Sequence, residues 1–260
     1  MHRFAQENIT LAVAEAAALV RSARTVAALT GAGISVGSGI PDFRSPGGLW
    51  TVFSPEEYAT LKVFRRDPAK AWRLYRAMAN TLIGAKPNAA HQALVELERL
   101  GRLHGIVTQN IDGLHQQAGS SRVFEIHGEH RHLHCLQCGD LQPLSPELQQ
   151  AVDVPRCKHC GFPLKPNVVL FGESVRDLEA IHALIADCDL LLVIGSSAQV
   201  YPAAALPAMV RHNGGRIVEC NREPALSSAG YGETSRSDIL FLQGDVVQTL
   251  PLLIRACREA

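Results

Sequence analysis

Leu190-Leu191-Leu192-Val193-Ile194-Gly195-Ser196-Ser197 is an unbroken apolar run closed by small residues. With no polar alternation, such a run marks a strand covered on both faces, as in parallel sheets with helices above and below. Working outward, the chain repeats this arrangement. Thr25–Thr30 reads as a short apolar strand behind an Ala- and Leu-rich helix from Thr10 to Ser22. Gly105–Gln109 and Val123–Ile126 read as strands after a helix that Pro87-Asn88 opens and that runs to Leu100. Asn167–Leu170 reads as a further strand, followed by a helix over Asp177–Ala186. Arg216–Cys220 and Ile239–Leu242 read as the last two strands, and Val246–Arg258 as the last helix. Pro55–Leu82 reads as one helical stretch with Arg65, Arg66, Asp67, Lys70 and Arg73 on one side, and Ile40–Leu49 as a loop. Strands spaced by helices predict an α/β fold with a parallel, doubly wound sheet.

Composition narrows the class. At 260 residues the chain has room for one large domain, with or without a small insert. Its 25 basic residues balance 25 acidic ones, which gives no reason to expect nucleic-acid or anionic-membrane binding. No apolar run is long enough to span a bilayer. The start, Met1-His-Arg-Phe-Ala-Gln-Glu-Asn8, lacks the basic segment and apolar core of a secretory signal. Cys188, Cys220 and Cys257 lie in apolar surroundings and read as reduced packing residues, so a cytoplasmic location is expected.

The other four cysteines form two knuckles, Cys135-Leu-Gln-Cys138 and Cys157-Lys-His-Cys160, with 18 residues between them. This is the spacing of a tetrahedral zinc site. Four thiolates complete the tetrahedron without help from the neighbouring His132, His134 or His159, and a closed site is structural rather than catalytic. Only Arg131, Arg156, Lys158 and Lys165 surround the knuckles, too few for a nucleic-acid-binding ribbon.

Small and hydrogen-bonding residues collect where strands end: Gly31–Ser35, Gln109–Asp112, His127, Gly195–Ser197, Asn221 and Gly244-Asp245. Any one of these is explained by turn formation. Six together point to a ligand, because open parallel sheets bind at the carboxyl ends of their strands. Gly31-Ala-Gly33 suggests a phosphate loop, although Gly37 comes one residue too late for a GxGxxG fingerprint.

These segments, taken in order, carry a specific resemblance. Gly31-Ala-Gly-Ile-Ser35, Ser38-Gly-Ile-Pro-Asp-Phe-Arg44, Thr108-Gln-Asn-Ile-Asp112, His127-Gly128, the four cysteines, Val169-Leu-Phe-Gly-Glu173, Gly195-Ser-Ser197, Asn221 and Gly244-Asp-Val246 resemble the sirtuins, across about residues 8–255. The resemblance implies a Rossmann-like large domain from residues 8–40, 88–128 and 167–258. It also implies a helical insert at 41–87 and a zinc module at 129–166. It implies an NAD-dependent protein lysine deacylase, in which nicotinamide leaves NAD and the acyl group passes to ADP-ribose. The partners it implies are acylated-lysine protein or peptide substrates, with the chain a monomer that carries one structural Zn²⁺.

Residue by residue, His127 resembles the general base, which takes a proton from a ribose hydroxyl; an imidazole titrating near neutrality suits that task. Asp112 and the backbone at Ile111 resemble the nicotinamide-amide partners, and Ile40 and Phe43 the wall of that pocket. Asn110 and Ser35 would position the ribose and a water. Gly31, Ala32, Gly33, Asp42 and Arg44 would lie at the phosphates and the cofactor loop, with Gln109 beside them. Gly195, Ser196, Ser197, Asn221, Asp245 and Val246 would complete the cofactor site. Val169, Leu170, Phe171 and Gly172 resemble the segment that pairs with substrate backbone.

Two departures matter. A succinyl- and malonyl-removing subgroup carries Tyr-x-x-Arg in the insert; here the stretch is Tyr75-Arg-Ala-Met78, which predicts acetyl or other uncharged acyl groups. Arg76 is the nearby cation that would upset this. Ala198 replaces a usual Leu, which would enlarge the adenosine pocket slightly. Two other functions share much of the constellation: protein mono-ADP-ribosyl transfer, and NAD sensing without catalysis.

Overall fold

The computed structural model describes residues 2–45, 47–226 and 239–259. Residues 227–238, which fall inside the 167–258 range assigned above, lie outside the described residues.

Helix α1 (His2–Ser22) leads into β1 (Val26–Thr30). The single helix expected over Pro55–Leu82 is three: α2 (Pro55–Tyr58), α3 (Leu61–Arg66) and α4 (Pro68–Leu82). The breaks have local causes. Thr60 caps α3 by accepting from Val63 N, and Asp67 caps α4 by accepting from Lys70 N. Pro68 cannot continue a helix through its missing N–H but suits the first turn of a new one. Asn88 opens α5 (Ala89–Arg99) in a capping box with His91.

Then follow β2 (Gly105–Thr108), a short α6 (Leu114–Ala118) and β3 (Val123–Glu125). The cysteine region is more regular than its sequence: β4 (Gly128–Cys135), β5 (Leu141–Pro143), α7 (Pro146–Gln150) and β6 (Leu164–Val168). The remaining elements are α8 (Leu178–Ala186), β7 (Leu190–Ile194), α9 (Leu206–His212), β8 (Arg216–Asn221), β9 (Ile239–Gln243) and α10 (Val246–Arg258).

Six strands form one all-parallel sheet in the order β3-β2-β1-β7-β8-β9. Strand residues alternate between two apolar layers. Val26, Ala28, Leu190, Leu192 and Val218 pack with α1, α5 and α10; Ala27, Leu29, Leu191, Val193 and Ile217 pack with α8 and α9. The chain departs in opposite directions from β1 and β7, so their carboxyl ends form the switch point where such sheets bind ligands.

The strand expected at Asn167–Leu170 is corrected. It lies earlier, as β6, and belongs to a separate antiparallel sheet, β5-β4-β6. Its own pattern explains the misreading: Leu164, Lys165, Pro166 and Val168 are all buried, so β6 resembles a parallel-sheet strand without being one. This sheet and helices α3 and α4 share one core built on Phe64, Trp72, Tyr75, Leu133, Leu164 and Leu170, and Trp72 Nε1 donates to Leu164 O at 2.8 Å. Insert and cysteine module are thus packed into one body. Among the described residues no helix is long and apolar enough to cross a membrane.

Candidate active site

At the switch point β1 and β7 touch through backbone. Gly31 N donates to Ile194 O (3.1 Å) and Gly33 N to Gly195 O (2.8 Å). A Cβ on Gly33 would lie 2.7 Å from Gly195 Cα, and Gly195 itself has φ +58 with its Cβ position 2.5 Å from Ile34 N. Here glycine is required by the neighbouring strand's turn as well as by any ligand above it.

A cavity of about 1020 Å³ opens over this contact and runs between the two bodies. Gly31, Ala32, Gly33 and Gly195–Ser197 floor it; Asp42, Phe43 and Arg44 stand on its loop side. Gln109, Asn110, Ile111 and His127 line its middle, and Asn221, Asp245 and Val246 one end. Val169–Gly172, Tyr75 and Met78 line the other. Arg44 Nη1 donates to Ser197 Oγ at 3.3 Å, and Arg222 pairs with Asp245 at 2.8 Å. Two cations beside a glycine floor fit a dinucleotide diphosphate.

Ser35, Ile40 and Asp112 do not line this cavity. Asp112 lies on a smaller neighbouring one with Gly113, Gln116 and Arg131. It is nevertheless wired to the first: Ser35 Oγ donates to Asp112 Oδ2 (2.7 Å), and Asn110 Nδ2 donates to Ser35 Oγ and Gly31 O (both 3.1 Å). Behind them His115 Nε2 lies 2.9 Å from Thr30 Oγ1, which donates to Thr108 Oγ1, which in turn accepts from Asn110 N.

His127 has a defined tautomer. Nδ1 lies 3.1 Å from Gln109 O, and a carbonyl only accepts, so Nδ1 carries the proton. Nε2 is buried and has no hydrogen-bond partner among the described residues. Burial pushes the imidazole below its usual range, against the hydrogen bond to Gln109, so the ring is neutral at neutral pH. Gln109 also donates through Nε2 to Ser196 Oγ (2.8 Å), tying the imidazole to the β7 turn.

Trp50, Leu74 and Arg222 are among several residues outside the sequence motifs that line the same cavity, as are Ser45, Tyr201 and Glu223. Trp50 packs on Phe43 with ring centroids 5.0 Å apart. A tryptophan in a loop of Pro and Gly was the available signal for it; Leu74 had none. Ala198, expected at the adenosine pocket, instead packs in the core under α9, with φ +50. Arg76 points away from the cavity: its guanidinium lies over Trp72 and donates to the carbonyls of Ala151 (3.0 Å) and Val152 (2.7 Å).

The four knuckle sulfurs all lie within 4.8 Å of one another. The pairs Cys135–Cys160, Cys138–Cys157 and Cys138–Cys160 are 3.5, 3.6 and 3.7 Å apart. Tetrahedral Zn–S bonds of about 2.3 Å require sulfurs about 3.8 Å apart, so the tetrad fits zinc.

Comparison with known proteins agrees with this geometry. Residues 31–202 match the Sir2 family model. NAD-dependent protein deacylase 2 of Pyrobaculum aerophilum is 43% identical over 244 residues, covering 93% of this chain and 94% of that one. A solved Sir2 homologue–NAD complex superposes with a TM-score of 0.83 at 37% identity, covering 94% of this chain and 93% of that chain. A Sir2 structure with a deacetylated p53 peptide and 3′-O-acetyl ADP-ribose gives a TM-score of 0.83 at 33% identity, over 93% and 96%. With its fold and nearly its whole length shared with these proteins and the family model matching residues 31–202, the chain belongs to the Sir2 family, the sirtuins.

Proposed function

We propose that this chain is an NAD-dependent protein lysine deacylase acting on acylated-lysine peptides. The observation that carries the reading is His127: a neutral imidazole, its Nδ1–H tied to Gln109 O and its Nε2 bare, in a cavity joining the glycine floor to Val169–Gly172. When bound, NAD supplies an electrophilic ribose carbon and a ribose hydroxyl. His127 Nε2 accepts the hydroxyl proton, and the fixed tautomer keeps it available for that transfer. Asn110 and Ser35 hold the ribose side of the site. The Ile111 backbone and Phe43 take the nicotinamide amide and its wall from the cavity, while Asp112 supports the amide site from outside the lining, where Ile40 also lies. Asp112 reaches that role through Ser35 and Asn110 rather than from the main cavity wall.

Gly31, Ala32, Gly33, Asp42 and Arg44 take the diphosphate with Gln109 beside it. Gly195, Ser196, Ser197, Asn221, Asp245 and Val246 take the adenosine half. Val169, Leu170, Phe171 and Gly172 take substrate backbone by strand addition, and Tyr75 and Met78 border the acyl group. Support for the segment lies in its open groups: Val169 O and both backbone groups of Gly172 have no hydrogen-bond partner among the described residues. The large part comprises 8–40, 88–128 and 167–258, with a helical insert at 41–87 and a zinc module at 129–166. The three cysteines outside the tetrad, Cys188, Cys220 and Cys257, are in no disulfide, which supports a reducing, cytoplasmic setting.

The test is a panel of acyl-lysine peptides incubated with NAD, with nicotinamide and deacylated peptide followed by mass spectrometry. One nicotinamide released per acyl group removed is expected. Full-rate deacylation without NAD would overturn the reading, and transfer of ADP-ribose to protein with no deacylation would replace it by the transferase alternative.

A further inference from the structure

Lys165 is fully buried, and its ammonium has three partners. It donates to Pro166 O (3.2 Å) and Val168 O (2.5 Å), and lies 3.1 Å from Glu173 Oε2. The same Glu173 oxygen accepts from Leu170 N at 2.8 Å, and Glu173 N donates to Leu170 O at 2.9 Å. A closed ring of bonds therefore runs Lys165–Glu173–Leu170 and back to Val168. The segment from Val168 to Glu173 is held inside it.

The rest of that segment is fixed by backbone. Val169 N donates to His127 O at 2.7 Å. Phe171 N donates to Ala59 O, and Leu61 N donates to Phe171 O, each at 3.0 Å. Two of its backbone groups depend on side chains, Val168 O on Lys165 and Leu170 N on Glu173, and Leu170 is buried. The open groups, Val169 O and those of Gly172, flank it on either side. A displaced Leu170 would therefore move the groups offered to a peptide without touching the glycine floor or Arg44.

A buried ion pair is a poor way to gain stability, because desolvation offsets its attraction. What it supplies is geometry: an ammonium with three acceptors and a carboxylate with fixed donors hold one backbone path.

We infer that Lys165 and Glu173 are positioning residues that set the Val169–Gly172 backbone for peptide binding, and so govern affinity for the peptide chain around the acyl-lysine rather than for NAD. The inference rests on the deacylase reading.

The experiment measures KM and kcat for an acetyl-lysine peptide, for a minimal acetyl-lysine derivative without flanking peptide bonds, and for NAD. The proteins are the wild-type chain, Glu173→Gln, Lys165→Met and Lys165→Arg. Glu173→Gln is expected to raise the peptide KM by about tenfold while kcat and the NAD KM stay within about threefold. The minimal substrate should lose much less than the peptide. Lys165→Arg, which keeps the charge, should recover most of the peptide affinity that Lys165→Met loses. Should Lys165→Met fail to fold, Glu173→Gln against wild type carries the test alone, being nearly isosteric. Equal shifts for peptide, minimal substrate and NAD, or no shift in peptide KM, would overturn the inference. A wild-type protein inactive on every acyl-lysine substrate would instead overturn the deacylase reading.

Discussion

Acyl selectivity follows from what stands around Met78. A succinyl group would bring a carboxylate to the end of the cavity bordered by Leu74, Tyr75 and Met78. Among the described residues no cation lines that end of the cavity free to meet it. Arg76 is held by the carbonyls of Ala151 and Val152 and by the Trp72 ring, and Lys165 is consumed by Glu173 and two carbonyls. Met78→Arg would place a guanidinium one turn beyond Tyr75. At an effective dielectric near 20, a carboxylate about 4 Å away is attracted by about 4 kcal/mol. Ordering the arginine side chain takes back about 2 kcal/mol. The remaining ~2 kcal/mol corresponds to about 30-fold. The wild-type chain should therefore prefer acetyl- over succinyl-lysine in one peptide by about tenfold or more in kcat/KM, and Met78→Arg should narrow the ratio by about 30-fold. Competition kinetics with mass-spectrometric detection reads both numbers, and a melting curve checks that the variant is folded. Wild-type turnover of succinyl equal to acetyl, or a folded Met78→Arg with an unchanged ratio, would refute the reasoning.

Other outcomes follow from the same structure. His127→Ala should lower deacylation by about 100- to 10,000-fold with NAD affinity retained, read by steady-state kinetics and calorimetry. Cys157→Ser should lose zinc by metal analysis and lower the melting temperature, since the tetrad sits against the core shared by β4, β6, α3 and α4. Gly33→Ala should destabilise by about 1–3 kcal/mol, because the new Cβ meets Gly195 backbone and neither chain can give way; an unchanged urea midpoint would show that the contact relaxes. Burial lowers the pKa of His91 to about 4 and of His115 to about 3. Both are neutral when folded, and an unfolded histidine binds a proton near pH 6.5. Stability contributed by them is complete above about pH 6.5 and is lost as pH falls toward 4. Urea midpoints should drop across that window, and His115→Gln should flatten the drop.

Much of the sheet was legible because its strands are continuous apolar runs with no competing reading. Leu190–Ile194 declares itself, and Val246–Arg258 matches α10 to the residue. The helices between Pro55 and Leu82 were merged because caps such as Thr60 and Asp67 act through single side-chain bonds that periodicity does not weigh. Both α6 and α9 were missed; with 5 and 7 residues they are too short for a periodic signal. The antiparallel sheet around the cysteines was hidden because its strands are held by tertiary partners rather than by alternation: β4 reads Gly-Glu-His-Arg-His-Leu-His-Cys. At the site, motif order marks the glycine floor, His127 and Val169–Gly172, but not lining residues such as Tyr201, Glu223 and Pro224, which belong to no motif. The separation of Asp112 from the main cavity was not legible, because it depends on which way Ser35 and Asn110 turn. Nor was the Lys165–Glu173 ring, which joins residues on either side of a turn that the sequence reading took for a strand.

The sheet order has a consequence for how the protein comes into being. β1 is completed by residue 30, yet its inner neighbour β7 begins at residue 190, and β9 with the Asp245-Val246 corner comes later still. During synthesis from the amino end, the first half of the sheet must wait with one long edge unpaired. The glycine floor exists only when Gly195 docks against Gly33. A nascent or truncated chain lacking the last third thus has no cofactor floor with which to engage NAD, and its bare β1 edge is what a chaperone would have to cover.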